Sequence, residues 1–533
     1  MDRVSVFVRR RRIKNLEQWT LYAILTEAFF LALSETVAAA AVMIGVMTWF
    51  LRCQIDSKYK MRSLPFDVPV AIFLLIGGLS VLFSSARSFE LIYNYCMLVG
   101  IYALTYLIVG QSIRTPAQVK LIAQALGASA ILVVLWGFFQ FVFGIDPADV
   151  KWTDPDAFPE LKKRIFSTLE NPNVLAGYLD VFICLALGLL AKVERRQKFI
   201  LIGVIILFLA CLIMTYSRGA FLTLAIVFAI YGVLQDWRIL ILFAIITGLI
   251  AYGDSAFMNR ILSAFTMSDS SEGVRIGIWV STSAMISDHP FTGIGWGAYQ
   301  YVYPQYNYYI ADPTIVIYHA HNIYLNYAAE IGILGALAFF WYFFGTMFMS
   351  LALGANERFA KIRHALEKIL AESSFANDLA EVKTALEDFS NRVLDLFGRK
   401  KSPLKLKKSR KSRREVVHNE EMNFSEHTRK KFADVDKNSD DDENISVDDT
   451  QKENTENKKS NKKSLSIDDK NFLDGLKLGI GLAFLSMALN GLTDDLLFNI
   501  PSSMLMWMLG ALSAAIHLMP EENFGARKRG KRI

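Results

Sequence analysis

The chain has 533 residues, of which 53% are hydrophobic and 20% are charged. Apolar runs of about 20 residues recur along it, the length that a bilayer-spanning helix requires. This pattern excludes an ordinary soluble fold and indicates a polytopic, multi-pass membrane protein. The 57 basic and 51 acidic residues leave a net charge of +6, too small a surplus to indicate nucleic-acid binding.

The apolar runs predict an all-α fold with about twelve transmembrane helices. They lie near residues 18–34, 36–52, 66–84, 91–110, 119–142, 173–191, 198–215, 219–234, 237–252, 323–350, 472–491 and 501–518. The basic segment 9–14 resembles the start of a signal peptide. A second apolar run follows the first immediately, which favours a retained signal anchor.

Lysine and arginine flank alternate loops, and these residues stay on the cytoplasmic side during membrane insertion. The basic segments are 9–14, 52–62, 114–120, 192–198, Arg238 and 527–532. We therefore expect both termini in the cytoplasm. The opposite face would receive loops near 84–90, 143–172 and 492–500, and a long extracytoplasmic loop near 253–322 between helices 9 and 10.

Two short motifs lie at predicted outward helix ends. Asn171, Pro172 and Asn173 mark a turn that begins a span. Residues 215–220 form a tight turn between two spans and leave Arg218 at the membrane surface. An arginine at a span end can simply snorkel to the interface, but the outward side carries few basic residues, which favours a function for Arg218.

The segment 275–299 combines arginine, aromatic residues and three glycines at 293, 295 and 297. Arg275, Trp279, Trp296 and Tyr299 are suited to a phosphate or sugar surface, because guanidinium groups bind phosphate and glycine permits close backbone approach. The glycine run lacks a flanking strand and helix, so it does not indicate a dinucleotide-binding fold.

The segment 318–336 enters the tenth predicted span and contains His319, His321 and Asn322. Histidine can accept a proton from a hydroxyl near neutral pH, so His321 is a candidate general base. A metal site is the alternative for this pair, but no carboxylate or thiol cluster accompanies it in the sequence. We expect no metal and no cofactor.

Small residues behind His321 recur three and four positions apart, which predicts close helix packing. They are Ala328, Ala329, Gly332, Gly335 and Ala336. Glu330 lies within the same span and should be paired or face a cavity, because an isolated carboxylate in hydrocarbon is costly.

Residues 354–471 differ in composition from the rest and divide the chain into 1–353, this cytoplasmic insertion, and 472–533. Helical periodicity at 355–397 predicts a short amphipathic hairpin. The charged segment 399–471 cannot bury enough apolar area to fold. One interpretation is a solvated linker. The other is a basic strip that contacts anionic membrane lipids and also binds a cytoplasmic partner.

Taken together, these motifs resemble the O-antigen ligase and O-antigen polymerase superfamily (Wzy_C-like) of bacterial envelope glycan enzymes. The resemblance rests on the SerArgGly turn at 217–219, Arg275 before Trp279, the HisProPheThrGlyIleGlyTrpGly stretch at 289–297, and His321-Asn322 followed by residues 332–335. It covers residues 160–345 strongly and 491–501 loosely. The long 354–471 insertion departs from the family pattern.

This resemblance implies a GT-C-like architecture in the bacterial inner membrane and metal-independent glycosyl transfer at its outer face. The donor would be an undecaprenyl-diphosphate-linked glycan, and the acceptor a lipid, glycan or protein. By position, Arg218 and Arg275 would hold the diphosphate and His321 would activate the acceptor hydroxyl. Arg164, Arg87, His319, Trp296 and Tyr299 are second-tier substrate-binding candidates.

Three alternatives remain open from the sequence. The enzyme is a ligase that attaches a finished glycan or a polymerase that joins lipid-linked repeats; one HisAsn motif in a single long loop favours the ligase. A transporter is less favoured, because the unusual polar residues gather at the outward surface and no repeated halves are visible. A scaffold that recruits partners through 354–471 is the third reading.

Overall fold

A computed structural model of the chain describes residues 3–144, 164–253, 270–309, 316–354 and 466–528. Within these ranges the regular structure is helical and contains no strand. The α-helices are α1 (Arg3–Phe30), α2 (Glu35–Ile55), α3 (Asp67–Phe83), α4 (Phe89–Asn94), α5 (Gly100–Ser112), α6 (Pro116–Phe143), α7 (Pro172–Leu190), α8 (Arg195–Ile213), α9 (Arg218–Leu234), α10 (Arg238–Gly253), α11 (Ser270–Asp288), α12 (Tyr299–Val302), α13 (Ile323–Gly354), α14 (Ile467–Asn490) and α15 (Ile500–Lys528). The predicted hairpin at 355–397 and the charged segment from 399 to 465 lie outside the described residues.

Eight stretches among the described helices are long and apolar enough to cross a membrane. They are α2, α4 continued through a π-turn (Tyr95–Val99) into α5, α6, α7, α8, α13, α14 and α15. The shorter apolar helices α3, α9 and α10 coincide with three further predicted spans. The first predicted span falls on α1, a helix that already includes the basic segment 9–14. The fold is that of a polytopic membrane protein; the number twelve and the GT-C-like arrangement remain predictions.

Local sequence explains where key helices begin. Asn171 caps α7, since its side-chain oxygen accepts a hydrogen bond from the backbone N–H of Asn173 at 2.8 Å, and Pro172 occupies the first helical position. This confirms the predicted helix start. The chain returns to helix at Ile467 rather than near 472, because Ser466 caps α14 by accepting from the N–H of Asp469.

Several of the basic segments gather at one end of the bundle, here called the basic end. The Arg9 guanidinium donates to the carbonyl of Ile55 at the end of α2. Lys120, at the start of α6, forms a 2.7 Å ion pair with Asp469 at the start of α14. These contacts agree with the alternation of basic segments that the charge pattern predicts.

Other segments between helices contact one another at the opposite end, here called the site end. Thr168 donates a 2.6 Å hydrogen bond to the carbonyl of Ala32, and Ser84 donates to the carbonyl of Ile294. Between the two ends, α7 and α14 pack backbone to backbone: a Cβ on Gly188 would lie 2.1 Å from the nitrogen of Gly479. Small residues permit this contact, so α7 and α14 form a rigid centre beneath the site end.

Helix α13 is broken at Gly332, whose φ of +71° lies in the left-handed region. The glycine-rich loop fills the break: the N–H of Ile294 donates to Ala329, the N–H of Gly295 donates to Glu330, and the N–H of Ile333 donates to Pro290. Gly293 and Gly332 are needed because the two backbones touch there. The small residues predicted as a packing stripe therefore also create a kink that the sequence pattern did not reveal.

Candidate functional site

His321 lies at the site end, just before α13, in the left-handed backbone region (φ +47°). Its Nδ1 atom is 3.2 Å from Oδ1 of Asp494, a residue of the turn between α14 and α15. The imidazole is about one-third exposed and the carboxylate about one-fifth exposed. When the carboxylate accepts the Nδ1 hydrogen, the other ring nitrogen, Nε2, is left as a proton acceptor. The pair is therefore oriented for proton transfer.

The turn that carries Asp494 is tied closely to the segment that carries His321. The N–H of Ile323 donates to the carbonyl of Gly491 at 2.9 Å, and the Asn322 side chain donates to the carbonyl of Leu492 at 2.9 Å. At the end of α14, Asn490 donates to the buried carboxyl of Asp180 in α7, also at 2.9 Å. Both partners are thus held by the rigid centre of the bundle.

His319 lies beside His321, with ring centroids 4.1 Å apart, and its other neighbour is the ring of Phe498 at 4.7 Å. Its Nδ1 accepts a hydrogen bond from the backbone N–H of His321. Burial, followed by repulsion from His321, lowers the pKa of His319 to about 3. His319 is consequently neutral at physiological pH and shapes the loop that presents His321.

Arg275, on α11, lies close enough for its charge to act on both His319 and Asp494. One turn further along α11, Trp279 donates its indole N–H to the carbonyl of Ala320 at 3.0 Å. That hydrogen bond fixes α11 against the histidine segment. The helix that carries Arg275 therefore lies against the segment that carries His321.

Arg218 begins α9, and the start of this helix contacts the Asp494 turn. A Cβ on the next residue, Gly219, would lie 3.3 Å from the hydroxyl oxygen of Thr493. Tyr216 adopts the left-handed conformation (φ +51°) in the preceding turn, and this sharp reversal returns the chain to α9. The start of α9 thus contacts Thr493, the residue that precedes Asp494. Arg218 is at the N-terminus of this helix, and helix N-termini favour anions.

Asp494 is anionic in this cluster. Burial raises the pKa of its carboxyl, but the hydrogen bond with His321 and the charges of His321, Arg275 and His319 outweigh burial and hold the pKa well below its usual value. Burial and the neighbouring Asp494 raise the pKa of Asp495 to about 7. The pKa values of these two adjacent carboxyls are therefore shifted in opposite directions, and perturbed pKa values cluster at functional sites.

The second-tier substrate-binding candidates lie in different environments. Arg164 is buried and structural: it donates to the carbonyl of Thr215 and to the side chain of Asn173, both at 2.7 Å. Arg87 is exposed and donates to the carbonyl of Leu82. Trp296 lines a cavity beside the site. The expectation for Tyr299 is wrong, because this residue is fully buried and its hydroxyl bonds to Thr282 at 2.6 Å.

Among the described residues, His319, His321 and Asp494 form a set that could hold a metal ion, with ligand atoms within 4.8 Å of one another. The sequence around the histidine pair contains no carboxylate cluster, but the fold brings the carboxylate of Asp494 next to both histidines. The expectation that no carboxylate accompanies the pair is therefore wrong. Sequence reasoning missed Asp494 and Asp495. Their one visible signal is a pair of adjacent acidic residues in a turn that was predicted to face outward.

Residues 177–340 match the model of a family described as O-antigen ligase. This region contains Arg218, Arg275 and His321, and it confirms the resemblance drawn from the motifs; Asp494 lies beyond it. A comparison with curated proteins finds no match.

Proposed function

We propose that the protein transfers a glycan from an undecaprenyl-diphosphate carrier to an acceptor hydroxyl at the outer face of the cytoplasmic membrane. The observation that carries this proposal is the cluster of His321, Asp494 and Arg275 at the site end, within or beside the segment that matches the O-antigen ligase family. Membrane lipids surround the bundle, and the acceptor is a lipid, a glycan or a protein.

In this mechanism Nε2 of His321 takes the proton from the acceptor hydroxyl as the oxygen attacks the anomeric carbon. Asp494 holds the Nδ1 hydrogen and stabilises the imidazolium that forms. The bond between the anomeric carbon and the carrier oxygen breaks, and its electron pair passes to the departing diphosphate. The proton is later released from His321 to solvent.

Arg218 and Arg275 have the role of stabilising that departing charge. Guanidinium groups bind phosphate oxygens in a fixed fork geometry, and their attraction is stronger in a partly dehydrated site than in water. Both arginines adjoin the Asp494 turn, from α9 and α11 respectively. The diphosphate would therefore lie between these helices.

We further propose that the reaction needs no metal. The histidine pair and Asp494 are already engaged in a hydrogen-bonded arrangement suited to proton transfer, and the arginines supply positive charge for the diphosphate. A transfer rate unchanged by a chelator would support this, whereas loss of activity that Zn²⁺ restores would assign the three donors to a metal.

Ligase and polymerase remain alternatives because they share this chemistry. Glycan length in a strain that lacks the protein separates them: loss of chain extension indicates a polymerase, and loss of attachment indicates a ligase. We favour the ligase. A transporter is the alternative from another functional class. A scaffold that recruits partners through 354–471 is a further alternative, and deletion of that segment should abolish its function.

The test is a transfer assay with purified protein, a polyprenyl-diphosphate-linked glycan and either a lipid or a protein acceptor. Formation of the linked product with release of the carrier diphosphate is the expected result. Solute flux into vesicles without any polyprenyl donor, and no product, would instead favour the transporter.

A further inference from the structure

A cavity of about 280 Å³ lies beside the histidine cluster and is not used by the mechanism above. Its walls come from α3, α4, α5, α13, α15 and the loop around Trp296. This volume is near the lower end of the ~300–1,000 Å³ typical of small-molecule sites. It is sufficient for one sugar-sized group rather than for a long glycan.

Aromatic rings dominate the lining, and a few polar groups interrupt it. The aromatic residues are Phe73, Tyr102, Trp296, Tyr301, Tyr318, Tyr327, Phe498 and Trp507. The polar side chains include Asn94, Gln300, Asn326, Glu330, Asp495 and Ser503. A pyranose ring has an apolar C–H face that packs on an aromatic ring and a rim of hydroxyl groups that need acceptors, so this combination fits a sugar better than a hydrocarbon chain.

Two of the polar groups are carboxyls held in fixed positions. Glu330, 6% exposed, lies next to the break in α13 and accepts hydrogen bonds from the backbone of Gly297 and Tyr299. Asp495, 3% exposed, accepts from the N–H of Leu497 at 3.1 Å. Each carboxyl has further lone pairs, and carboxyls are strong acceptors for sugar hydroxyls.

The cavity also adjoins the proposed base. Asp495 follows Asp494, the partner of His321, and its N–H donates to the Asp494 carboxylate at 2.9 Å. Phe498 forms part of the cavity wall and packs its ring against His319. Tyr318 and Phe498 are each about half exposed at the rim, whereas Phe73 and Trp507 are buried deeper in the lining.

We infer that this cavity binds a terminal pyranose ring of the acceptor glycan, with Trp296 as a stacking surface and Glu330 and Asp495 as hydroxyl acceptors. This inference rests on the proposed function: the two arginines are carried by α9 and α11, and neither helix contributes a residue to the cavity lining. We therefore assign the cavity to the acceptor rather than to the diphosphate. This assignment excludes lipid and protein acceptors that lack a sugar at the attachment point.

The test measures sugar binding without any donor, so it does not depend on transfer. Full-length protein in lipid nanodiscs is presented with a panel of methyl pyranosides (glucoside, galactoside, mannoside, rhamnoside and N-acetylglucosaminide), and saturation-transfer NMR detects contact. At least one pyranoside should bind, and Trp296→Ala and Glu330→Gln should each weaken its signal at least tenfold. Trp341→Ala and Glu90→Gln, exposed positions outside the lining, are the matched controls.

A kinetic measurement extends the test to the reaction. Trp296→Ala should raise the acceptor KM at least tenfold and leave the donor KM unchanged, which a general loss of folding would not do. If no pyranoside binds, if the variants bind like wild type, or if geranylgeraniol binds in the sugars' place, the assignment is overturned while glycan transfer itself can still be observed. Sugar binding without transfer would instead refute the proposed function alone.

Discussion

Nδ1 of His321 lies 3.2 Å from Oδ1 of Asp494, although 173 positions separate the two residues in the chain. The contact depends on α14, which carries the Asp494 turn back to the start of α13 after the 354–471 insertion. Hydrogen bonds from Ile323 and Asn322 then fix the two segments together. The insertion therefore does not prevent the last two helices from completing the site.

Asp494→Asn tests the role of that contact. An asparagine can offer N–H to Nδ1 and so favour the wrong tautomer of His321, which removes the proton acceptor at Nε2. We expect the transfer kcat to fall about 10²-fold or more, with the donor KM little changed. Asp468→Asn, an exposed carboxylate at the other end of α14, is the control and should match wild type.

Arg275→Ala and Arg218→Ala test the stabilisation of the departing diphosphate. Each should lower the transfer rate about 10²–10³-fold while the protein still inserts into the membrane, because one electrostatic contact in the transition state is lost. Lysine at either position should restore part of the rate, since it keeps the charge without the fork geometry. Arg238→Ala, exposed at the start of α10, controls for loss of charge. Full activity in both alanine variants would refute this role.

Arg164→Ala should lower the stability of the fold rather than weaken the binding of one substrate. The change leaves the carbonyl of Thr215 and the side chain of Asn173 without their buried donor, at a cost of about 1–3 kcal/mol. Thermal unfolding in nanodiscs should therefore begin at a lower temperature. Arg87→Ala, which removes an exposed side chain, should unfold like wild type; equal unfolding temperatures for the two variants would contradict a structural role.

Gly293→Ala tests the broken helix. Gly293 has a φ of +68°, and a Cβ there would lie 2.4 Å from the backbone of Glu330. The conformation alone costs about 1–3 kcal/mol for a residue other than glycine, and the clash adds to it. We expect a poor yield of folded protein and a lower unfolding temperature. Gly203→Ala, in α8 with open space around it, should be harmless.

Much of the helical architecture could be predicted from apolar runs and caps, because each depends on neighbours in sequence. Asn171 and Pro172 are a clear example. The break at Gly332 could not be predicted, since it exists only because the 290–295 loop supplies the missing hydrogen bonds. The burial of Tyr299 could not be predicted either, because its hydroxyl bonds to Thr282, a residue of another helix. The glycine-rich sequence around Tyr299 had suggested an accessible side chain.

For the site residues too, features that depend on neighbouring sequence were predicted and features that depend on remote contacts were not. His321, Arg275 and Arg218 were predicted from motifs within one region, and the segments that carry them lie near the turn that contains Asp494. Their catalytic roles stay predictions. Asp494 was missed because its partner is remote in sequence, and a pair of aspartates in a turn is ordinary surface chemistry. Arg164 was assigned to substrate because an outward arginine is unusual, whereas its true partners, Thr215 and Asn173, become visible only in three dimensions.

If His321 is the base for glycan transfer, the single-turnover rate of His321→Ala should show it most directly. The assay uses saturating donor and acceptor, so that binding does not limit the rate. We predict a loss of about 10²–10⁴-fold, the contribution expected of a positioned general base, in a variant that still inserts and folds. A His321→Ala rate within threefold of wild type would contradict the mechanism.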